Sequence, residues 1–249
     1  MKEATIGYTK SGKGYKLYKD IPYGAEEKQD LDLYIPDGEA PAGGWPALFY
    51  VHGGGFIAGD KSDRGLGMEF AQLVIDYGIA LVSANHRLPG REPEQLDIEL
   101  ADVQAGLRYV AEHAEEMGIN KDKIACQGQS AGGALVCAAA VRAKAEGAPP
   151  AIAVISIASA TDITDVPAHV HEDAPPFFII HGTADSIVKI SQPERLITAL
   201  EAAGVHYVYM PVEGGEHTRP IDDPNTMVLI EEQGKLHDAY DWLKAIIAG

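Results

Sequence analysis

A serine between two glycines lies where an apolar, strand-like run turns into an alanine-rich helical stretch. Residues 128–132 read GQSAG, the apolar residues 124–126 precede them, and the stretch 131–146 that follows is rich in alanine. Glycines on both sides leave room for a strained backbone at Ser130. The helix that begins there directs its N-terminal N–H groups at any negative charge that develops beside the hydroxyl. This strand-turn-helix context is the one that a nucleophile elbow requires, so Ser130 is the candidate nucleophile.

A run of three glycines follows an earlier strand. The segment 46–51 (PALFYV) predicts a buried strand, and residues 52–55 (HGGG) come directly after it. Consecutive glycines let the backbone approach a ligand closely, and the N–H groups of Gly54, Gly55 and Ala131 would hold the oxyanion of a tetrahedral intermediate. A mobile turn with a chance histidine is the alternative. The position of the turn upstream of the candidate nucleophile favours the oxyanion hole.

The candidate acid is an aspartate at the end of another short strand. Asp185 closes the loop 181–185 (HGTAD), which follows the apolar strand 177–180 (FFII). Open α/β sheets place their active residues at the carboxyl ends of strands. Asp162 follows the preceding strand, at 152–157, and is the alternative, although a turn-forming aspartate that caps the next segment is its other role. We favour Asp185 because it lies closer in sequence to the candidate base.

That base is a histidine beyond the last strand. His217 lies in residues 213–218 (EGGEHT), after the strand 205–210 (VHYVYM), so the chain order is nucleophile, acid, base. The chain has nine histidines, and eight need another explanation. His52 belongs to the glycine turn, His181 is expected to pack at a strand end, and His86 is assigned no part in catalysis. The other five are expected at the surface, namely His113, His169, His171, His206 and His237.

Eight strand-like runs alternate with helical stretches. The strands are predicted near residues 15–21, 29–35, 47–52, 79–85, 123–127, 152–158, 177–181 and 205–211, and the helices near 66–77, 95–117, 131–146, 191–203 and 226–247. This alternation predicts an α/β fold with a mainly parallel eight-stranded sheet and helices on both faces. In the helix 95–117, one face is expected to hold Ile98, Ala101, Ala105, Leu107 and Val110, and the opposite face Glu99, Arg108 and Glu112.

Composition favours one compact domain over residues 1–249. The chain is 46% hydrophobic, and its net charge of −17 disfavours nucleic acid or an anionic membrane surface as a partner. No stretch is long enough to span a bilayer, and the N-terminus lacks the apolar core of a signal peptide, so we expect a cytoplasmic protein. A mature secreted chain would look the same. Cys126 and Cys137 are expected to be buried free thiols.

These motifs resemble those of the α/β-hydrolases, and within that fold the bacterial carboxylesterases that carry an HGGG turn. The similarity covers nearly the whole chain and includes residues 31–36 (LDLYIP), 59–60 (GD), 85–88 (NHRL), 127–133 (QGQSAGG) and 181–185 (HGTAD). Two branches compete, the hormone-sensitive-lipase-like esterases and a group of small acetyl xylan and feruloyl esterases. The resemblance implies a serine esterase with Ser130, His217 and Asp185 as its triad, and with neither cofactor nor metal.

Three positions depart from the pattern of that group. His86 stands where its members usually have tyrosine, and Gln129 stands where the lipase-like branch commonly has an acidic residue. Glu216 places a carboxylate beside the candidate base, in GGEH rather than the commoner GxGH. None of these departures removes a catalytic group.

The room available for a lid indicates the kind of substrate. Only residues 160–176 and the first thirty residues could cover the pocket, which is too little for a multi-helix cap. We therefore expect a carboxylesterase for short-chain acyl esters, with acetyl or feruloyl esters of plant carbohydrate among the candidates. A serine peptidase or amidase of the prolyl oligopeptidase type, hydrolysis of a small amide, and a non-catalytic binding protein remain alternatives. A homodimer through an edge strand or the last helix is compatible with the sequence.

Overall fold

The strands form one continuous sheet. The computed structural model describes residues 4–63, 72–217 and 233–249. Within them the strands are β1 (Thr5–Tyr8), β2 (Gly14–Pro22), β3 (Asp30–Pro36), β4 (Trp45–Val51), β5 (Ala80–Ala84), β6 (Ile119–Gln129), β7 (Val154–Ile157), β8 (Phe177–Gly182) and β9 (Tyr207–Val212). Their order across the sheet is β1-β2-β3-β5-β4-β6-β7-β8-β9.

The sheet is antiparallel at its N-terminal edge and parallel elsewhere. The pairs β1–β2, β2–β3 and β3–β5 are antiparallel, and every pair from β5 through β4 to β9 is parallel. Val51 of β4 pairs with Gly128 of β6. The glycine turn and the GQSAG segment therefore leave adjacent strands at the same level, as a shared site requires.

Helices cover both faces of the sheet. They are a 3-10 helix (Gln72–Tyr77), α1 (Pro93–Glu112), α2 (Ala114–Met117), α3 (Ser130–Glu146), α4 (Val166–His169), α5 (Ser191–Ala203) and α6 (Lys235–Ala248). Apolar residues of α1, α3 and α5 pack on one face, and those of the 3-10 helix and α6 pack on the other. The predicted fold class is confirmed. Both cysteines are buried with free thiols, as predicted, and burial raises the pKa of each to about 12.

The main difference from the predicted strands is one addition. Each of the eight predicted strands has a counterpart, and the described residues contain a ninth, β1. It has only four residues, its side chains are mostly exposed, and it pairs with one neighbour at the sheet edge, so it leaves little hydrophobic signal. Residues 66–71 and 226–232 of two predicted helices lie outside the described residues.

The predicted faces of α1 are wrong in part. Ile98, expected inside, is 36% exposed, whereas Glu99, expected outside, is 0% exposed. The two alanines assigned to the inner face are also not buried, because Ala101 is exposed and Ala105 only half-buried. The buried stripe follows larger side chains, namely Leu96, Leu100, Val103, Leu107 and Val110. Glu99 lies three residues after the first of them, on the same side of the helix.

The segment between β7 and β8 contains little regular secondary structure. Within this described segment the only helix is the four-residue α4. The expectation that residues 160–176 form no multi-helix cap is therefore met. The predicted single domain over 1–249 remains a prediction, although all the described strands share one sheet.

Candidate active site

Ser130 lies at a sharp turn from β6 into α3. Its φ angle is +53°, in the left-handed region that costs energy for any residue with a side chain. The turn needs small neighbours, because a Cβ at Gly128 would collide with the backbone of Gly132, and one at Gly132 with the carbonyls of Val51 and His52 at the end of β4. These close approaches explain why the serine is flanked by glycines. They also hold the first turn of α3 against the end of β4.

The structure brings the three predicted catalytic side chains together in one hydrogen-bonded chain. The Ser130 Oγ lies 2.9 Å from the Nε2 of His217, and the His217 Nδ1 lies 2.8 Å from the Oδ2 of Asp185. Asp185 is 5% exposed and His217 9%. The candidate nucleophile, base and orienting carboxylate thus have the arrangement in which a histidine can activate a serine hydroxyl.

Two neighbouring loops carry the candidate acid and the candidate base. Asp185 follows β8 and His217 follows β9, and the backbone N–H of Ala184 donates to the carbonyl of Gly215 over 2.9 Å. A Cβ at Gly182 would collide with that same carbonyl. The glycines before His217 therefore let the second loop pack directly on the first.

The environment of Asp185 keeps its carboxylate ionised. Burial alone would raise the pKa of Asp185, but the hydrogen bond with His217 and two backbone N–H donors outweigh it, so the pKa lies below its usual value. The donors are Ile187 at 2.9 Å and Val188 at 2.8 Å, both to Oδ1. His181 packs beneath the same loop, with its Nε2 2.8 Å from the Val188 carbonyl. The carboxylate is thus fixed before any substrate binds.

Asp162, the alternative acid, lies elsewhere. Its carboxylate pairs with Arg195 of α5, and its backbone N–H donates to the side chain of Gln192 over 3.1 Å. Its carbonyl accepts from Asp165 in a turn, as a turn-forming aspartate was expected to do, but α4 has Asp165 as its N-cap. Between the two candidates, only Asp185 contacts the histidine.

The glycine turn lies beside the serine. Gly54 and Gly55 have φ angles of +127° and +63°, and a Cβ at Gly54 would collide with the carbonyl of Ala58. A Cβ at Gly53 would meet the Cβ of Ser130 at 3.5 Å. The N–H of Ala131 belongs to the first turn of α3, where backbone donors have no partner within the helix. All the predicted oxyanion donors are therefore on segments that converge on Ser130.

A cluster of three carboxylates around the buried Lys61 anchors the segment after the glycine turn. The Lys61 Nζ lies 2.8 Å from Asp20, 2.9 Å from Asp30 and 3.3 Å from Asp32, and its side chain is 6% exposed. Asn85, at the end of β5, accepts a hydrogen bond from the Lys61 backbone N–H over 2.7 Å. The cluster accounts for several polar residues in the motifs that carry the resemblance. Sequence reasoning did not find Lys61.

Two further residues near the glycine turn were missed or left without a role. The Nε of Arg91 donates to the carbonyl of Gly55 over 2.7 Å. His86 is buried and stacks on His52, with ring centroids 4.7 Å apart and planes 17° from parallel. The unusual histidine at position 86 was the sequence signal for this stacking contact, but the sequence could not show that His86 would pack on His52.

The chain is similar to two known protein families. Residues 31–166, more than half of the chain, match the BD-FAE family, and this region contains the glycine turn and Ser130. The chain belongs to the BD-FAE family. Residues 157–248 match the prolyl oligopeptidase family, and that part contains Asp185 and His217.

Individual relatives agree on the fold of this BD-FAE family member. An AB hydrolase superfamily protein of Schizosaccharomyces pombe is 33% identical over 135 residues, which are 53% of this chain and 38% of that protein. The chain spans about a third to about a half of the length of such curated relatives. The resemblance to the α/β-hydrolases is confirmed.

Solved structures show the same architecture over almost the entire chain. A truncated carbohydrate esterase from gut microbiota superposes with a TM-score of 0.75 at 19% identity, covering 94% of this chain and 96% of that one. The propionate-bound esterase Est2 of the planctomycete Thermogutta terrifontis gives 0.74 at 23% identity, covering 92% and 94%. At these identities the similarity establishes the fold.

Of the departures near the elbow and the base, Glu216 has a clear structural role. Gln129 is buried at the end of β6. The Glu216 carboxylate accepts a hydrogen bond from the backbone N–H of Ser186 over 3.0 Å, so it braces the loop that carries Asp185. The charge beside His217 is therefore directed to that loop.

The described residues contain no group of three or more histidine, cysteine, aspartate or glutamate side chains arranged to hold a metal ion. No helix in the described ranges has the length and apolar character needed to cross a bilayer.

Proposed function

We propose that this chain is a serine carboxylesterase that uses Ser130, His217 and Asp185 to hydrolyse short-chain acyl esters. The observation that carries the proposal is the hydrogen-bonded chain from the Ser130 hydroxyl through His217 to Asp185, beside a glycine turn with left-handed backbone. The same side chains without the turn would lack a site for the developing negative charge.

The reaction would proceed in two halves. The Ser130 Oγ attacks the ester carbonyl while His217 Nε2 takes its proton, and the N–H groups of Gly54, Gly55 and Ala131 stabilise the oxyanion. The intermediate collapses, the alcohol leaves with the proton from His217, and an acyl group remains on the serine. Water then attacks the acyl-enzyme, giving its proton to the same imidazole, and the carboxylic acid leaves as the Ser130 hydroxyl is restored.

Exposed apolar side chains at the same edge of the sheet would suit an acyl group. Ile57, Ile163 and Ile187 are 57%, 43% and 47% exposed, and they follow the carboxyl ends of β4, β7 and β8. The short segment between β7 and β8 adds no multi-helix cover, which suits an ester carried on a bulky group. A carbohydrate esterase and a propionate-bound esterase among the structural neighbours are in keeping with acetyl and other small acyl esters of carbohydrate.

A substrate panel tests this proposal. We expect p-nitrophenyl acetate and butyrate to be hydrolysed faster than octanoate, and acetylated xylan or methyl ferulate to be turned over. Ser130→Ala should lower kcat by about 10⁵ to 10⁶, by analogy with other triads. Activity within tenfold of the parent in that variant, or a rate that rises with acyl length, would contradict the proposal.

The match of residues 157–248 to the prolyl oligopeptidase family favours one second candidate, a serine peptidase or amidase with the same triad. An aminoacyl anilide in the same panel separates the two. Turnover of the anilide without turnover of any ester would assign the chain to amide hydrolysis.

A further inference from the structure

Three titratable side chains that the proposed reaction does not use lie in contact beneath the glycine turn. The stacked rings of His52 and His86 are 0% and 1% exposed. The His86 Nδ1 lies 3.2 Å from the Oε2 of Glu99, which projects from α1 and is 0% exposed. Burial of three such groups side by side is costly unless each stays uncharged or finds partners.

The hydrogen positions on the two rings follow from their neighbours. The His52 Nδ1 lies 2.7 Å from the carbonyl of Gly53, and the His86 Nδ1 lies 3.0 Å from the carbonyl of Arg87. A carbonyl only accepts, so each Nδ1 carries the hydrogen and donates it. Neither Nε2 has a hydrogen-bond partner within the described residues. Burial lowers the pKa of His52 to about 3 and that of His86 to about 4, so both rings are neutral at pH 7.

Glu99 is better accommodated as a carboxylic acid than as a carboxylate. Neither of its oxygens makes a hydrogen bond of good geometry within the described residues. An ionised carboxylate in this position would be a buried charge without compensation. Burial, with the Asp102 carboxylate adding to it, raises the pKa of Glu99 to about 8.

The charged groups around the cluster come from several elements. Asp60 and Lys28 act electrostatically on His52. Asp102 on α1 acts on both His86 and Glu99, and Arg87 binds Asp102 over 2.7 Å. Asp102 is compensated by its own arginine and by the side chain of Gln29 at 2.6 Å. Glu99 has no such partner, so it is the group in the cluster whose ionisation would leave a charge uncompensated.

The cluster is joined mechanically to the turn. A Cβ at Gly59 would collide with the ring of His52, so the loop 53–59 closes tightly over that ring. The carbonyl of His52 touches Gly132 in the first turn of α3. A shift of the His52 ring would therefore move the turn relative to Ser130.

We propose that Glu99 and His86 are positioning residues, which hold the His52 ring and with it the oxyanion turn for as long as the Glu99 carboxyl keeps its proton. The inference depends on the proposed function, because it takes residues 53–55 as the oxyanion turn. Loss of the proton to solvent leaves an anion 3.2 Å from the His86 Nδ1–H, which then turns from the Arg87 carbonyl toward the carboxylate. The stacked His52 ring follows, and the oxyanion donors lose their alignment.

The expected signature is in kcat rather than in KM. Oxyanion donors act on charge that exists only in the transition state, so a misplaced turn lowers kcat while ground-state binding persists. The loss should appear in alkaline solution, where Glu99 ionises, and should be absent when residue 99 cannot ionise.

Kinetics of p-nitrophenyl acetate hydrolysis from pH 6 to 9.5, corrected for spontaneous hydrolysis, test the inference. The variants are Glu99→Gln, His86→Phe and the control Glu112→Gln, which makes the same change at an exposed position of the same helix. Wild type and Glu112→Gln should lose kcat with an apparent pKa of about 8. Glu99→Gln should keep at least a third of the wild-type kcat at pH 7 and lose none of it up to pH 9. His86→Phe should lower kcat by about 10-fold to 100-fold with KM within threefold.

Each outcome decides the matter. An alkaline loss in Glu99→Gln equal to that of wild type overturns the inference, and so does a His86→Phe variant with kcat within twofold of wild type. If Glu99→Gln does not fold, His86→Phe alone decides by the kcat and KM criterion. If the wild type hydrolyses the ester and the variants have the same kcat and pH dependence as wild type, only this inference is rejected. If the wild type is inactive on every ester, the proposed function is rejected as well.

Discussion

Replacing Glu99 with glutamine should make the stability of the protein less dependent on pH. Burial and the nearby Asp102 raise the pKa of Glu99 from 4.5 to about 8 in the folded state. Between these values the folded protein holds a proton that the unfolded chain has released, so the free energy of unfolding falls as pH rises. One pKa unit corresponds to about 1.4 kcal/mol, so this group would remove about 3 kcal/mol between pH 5 and pH 7.5.

Urea unfolding, followed by tryptophan fluorescence and circular dichroism, measures this effect at each pH. Glu99→Gln should gain stability relative to wild type as pH rises, by about 3 kcal/mol over that interval. Glu112→Gln, with the same change at an exposed site, should follow wild type within about 0.5 kcal/mol. A difference between Glu99→Gln and wild type that stays constant with pH would refute the view that Glu99 is protonated in the folded protein.

Three further substitutions probe separate parts of the site. Asp185→Asn should lower kcat by about 10⁴, because the imidazole loses its orienting carboxylate, whereas Asp162→Asn should stay within threefold of wild type in the same ester assay. Gly54→Ala should lower kcat by about 10² to 10³, because its Cβ would collide with the Ala58 carbonyl and displace an oxyanion donor. Circular dichroism checks that the variant folds, and an unchanged kcat would exclude the donor role. Lys61→Met should destabilise the protein by about 3 to 5 kcal/mol in urea unfolding, because the buried Asp32 and the partly buried Asp30 lose their cation. A loss under about 1 kcal/mol would contradict that role.

The parts of the fold that sequence could predict are those with a strong local signal. Apolar runs such as 46–51 and 177–180 are buried parallel strands in the structure, because such strands are covered on both faces. The same reasoning misses Thr5–Tyr8, whose side chains are mostly exposed and whose pairing depends on β2. It also misplaces Glu99, because a carboxyl residue is expected on the exposed face of a helix, whereas this side chain is buried beside His86.

The candidate site shows the same division. Chain order and strand ends were enough to nominate Ser130, Asp185 and His217, since parallel strands bring their carboxyl ends to one edge. Closeness in sequence to His217 gave only a preference for Asp185 over Asp162. In the structure Asp185 contacts that histidine, whereas Asp162 pairs with Arg195. The stack of His86 on His52 joins β5 to the glycine turn, a tertiary contact that no local pattern encodes.

Covalent labelling with a fluorophosphonate tests the central claim most directly, because such a probe reacts with a serine that a histidine has activated. Intact-mass and peptide mass spectrometry should find one adduct per chain, on Ser130. Ser130→Ala should give none, and His217→Ala should react far more slowly than His206→Ala, a matched change at an exposed histidine. An adduct of equal yield in Ser130→Ala, or one mapped to another residue of the wild type, would contradict the assignment of Ser130 as the nucleophile.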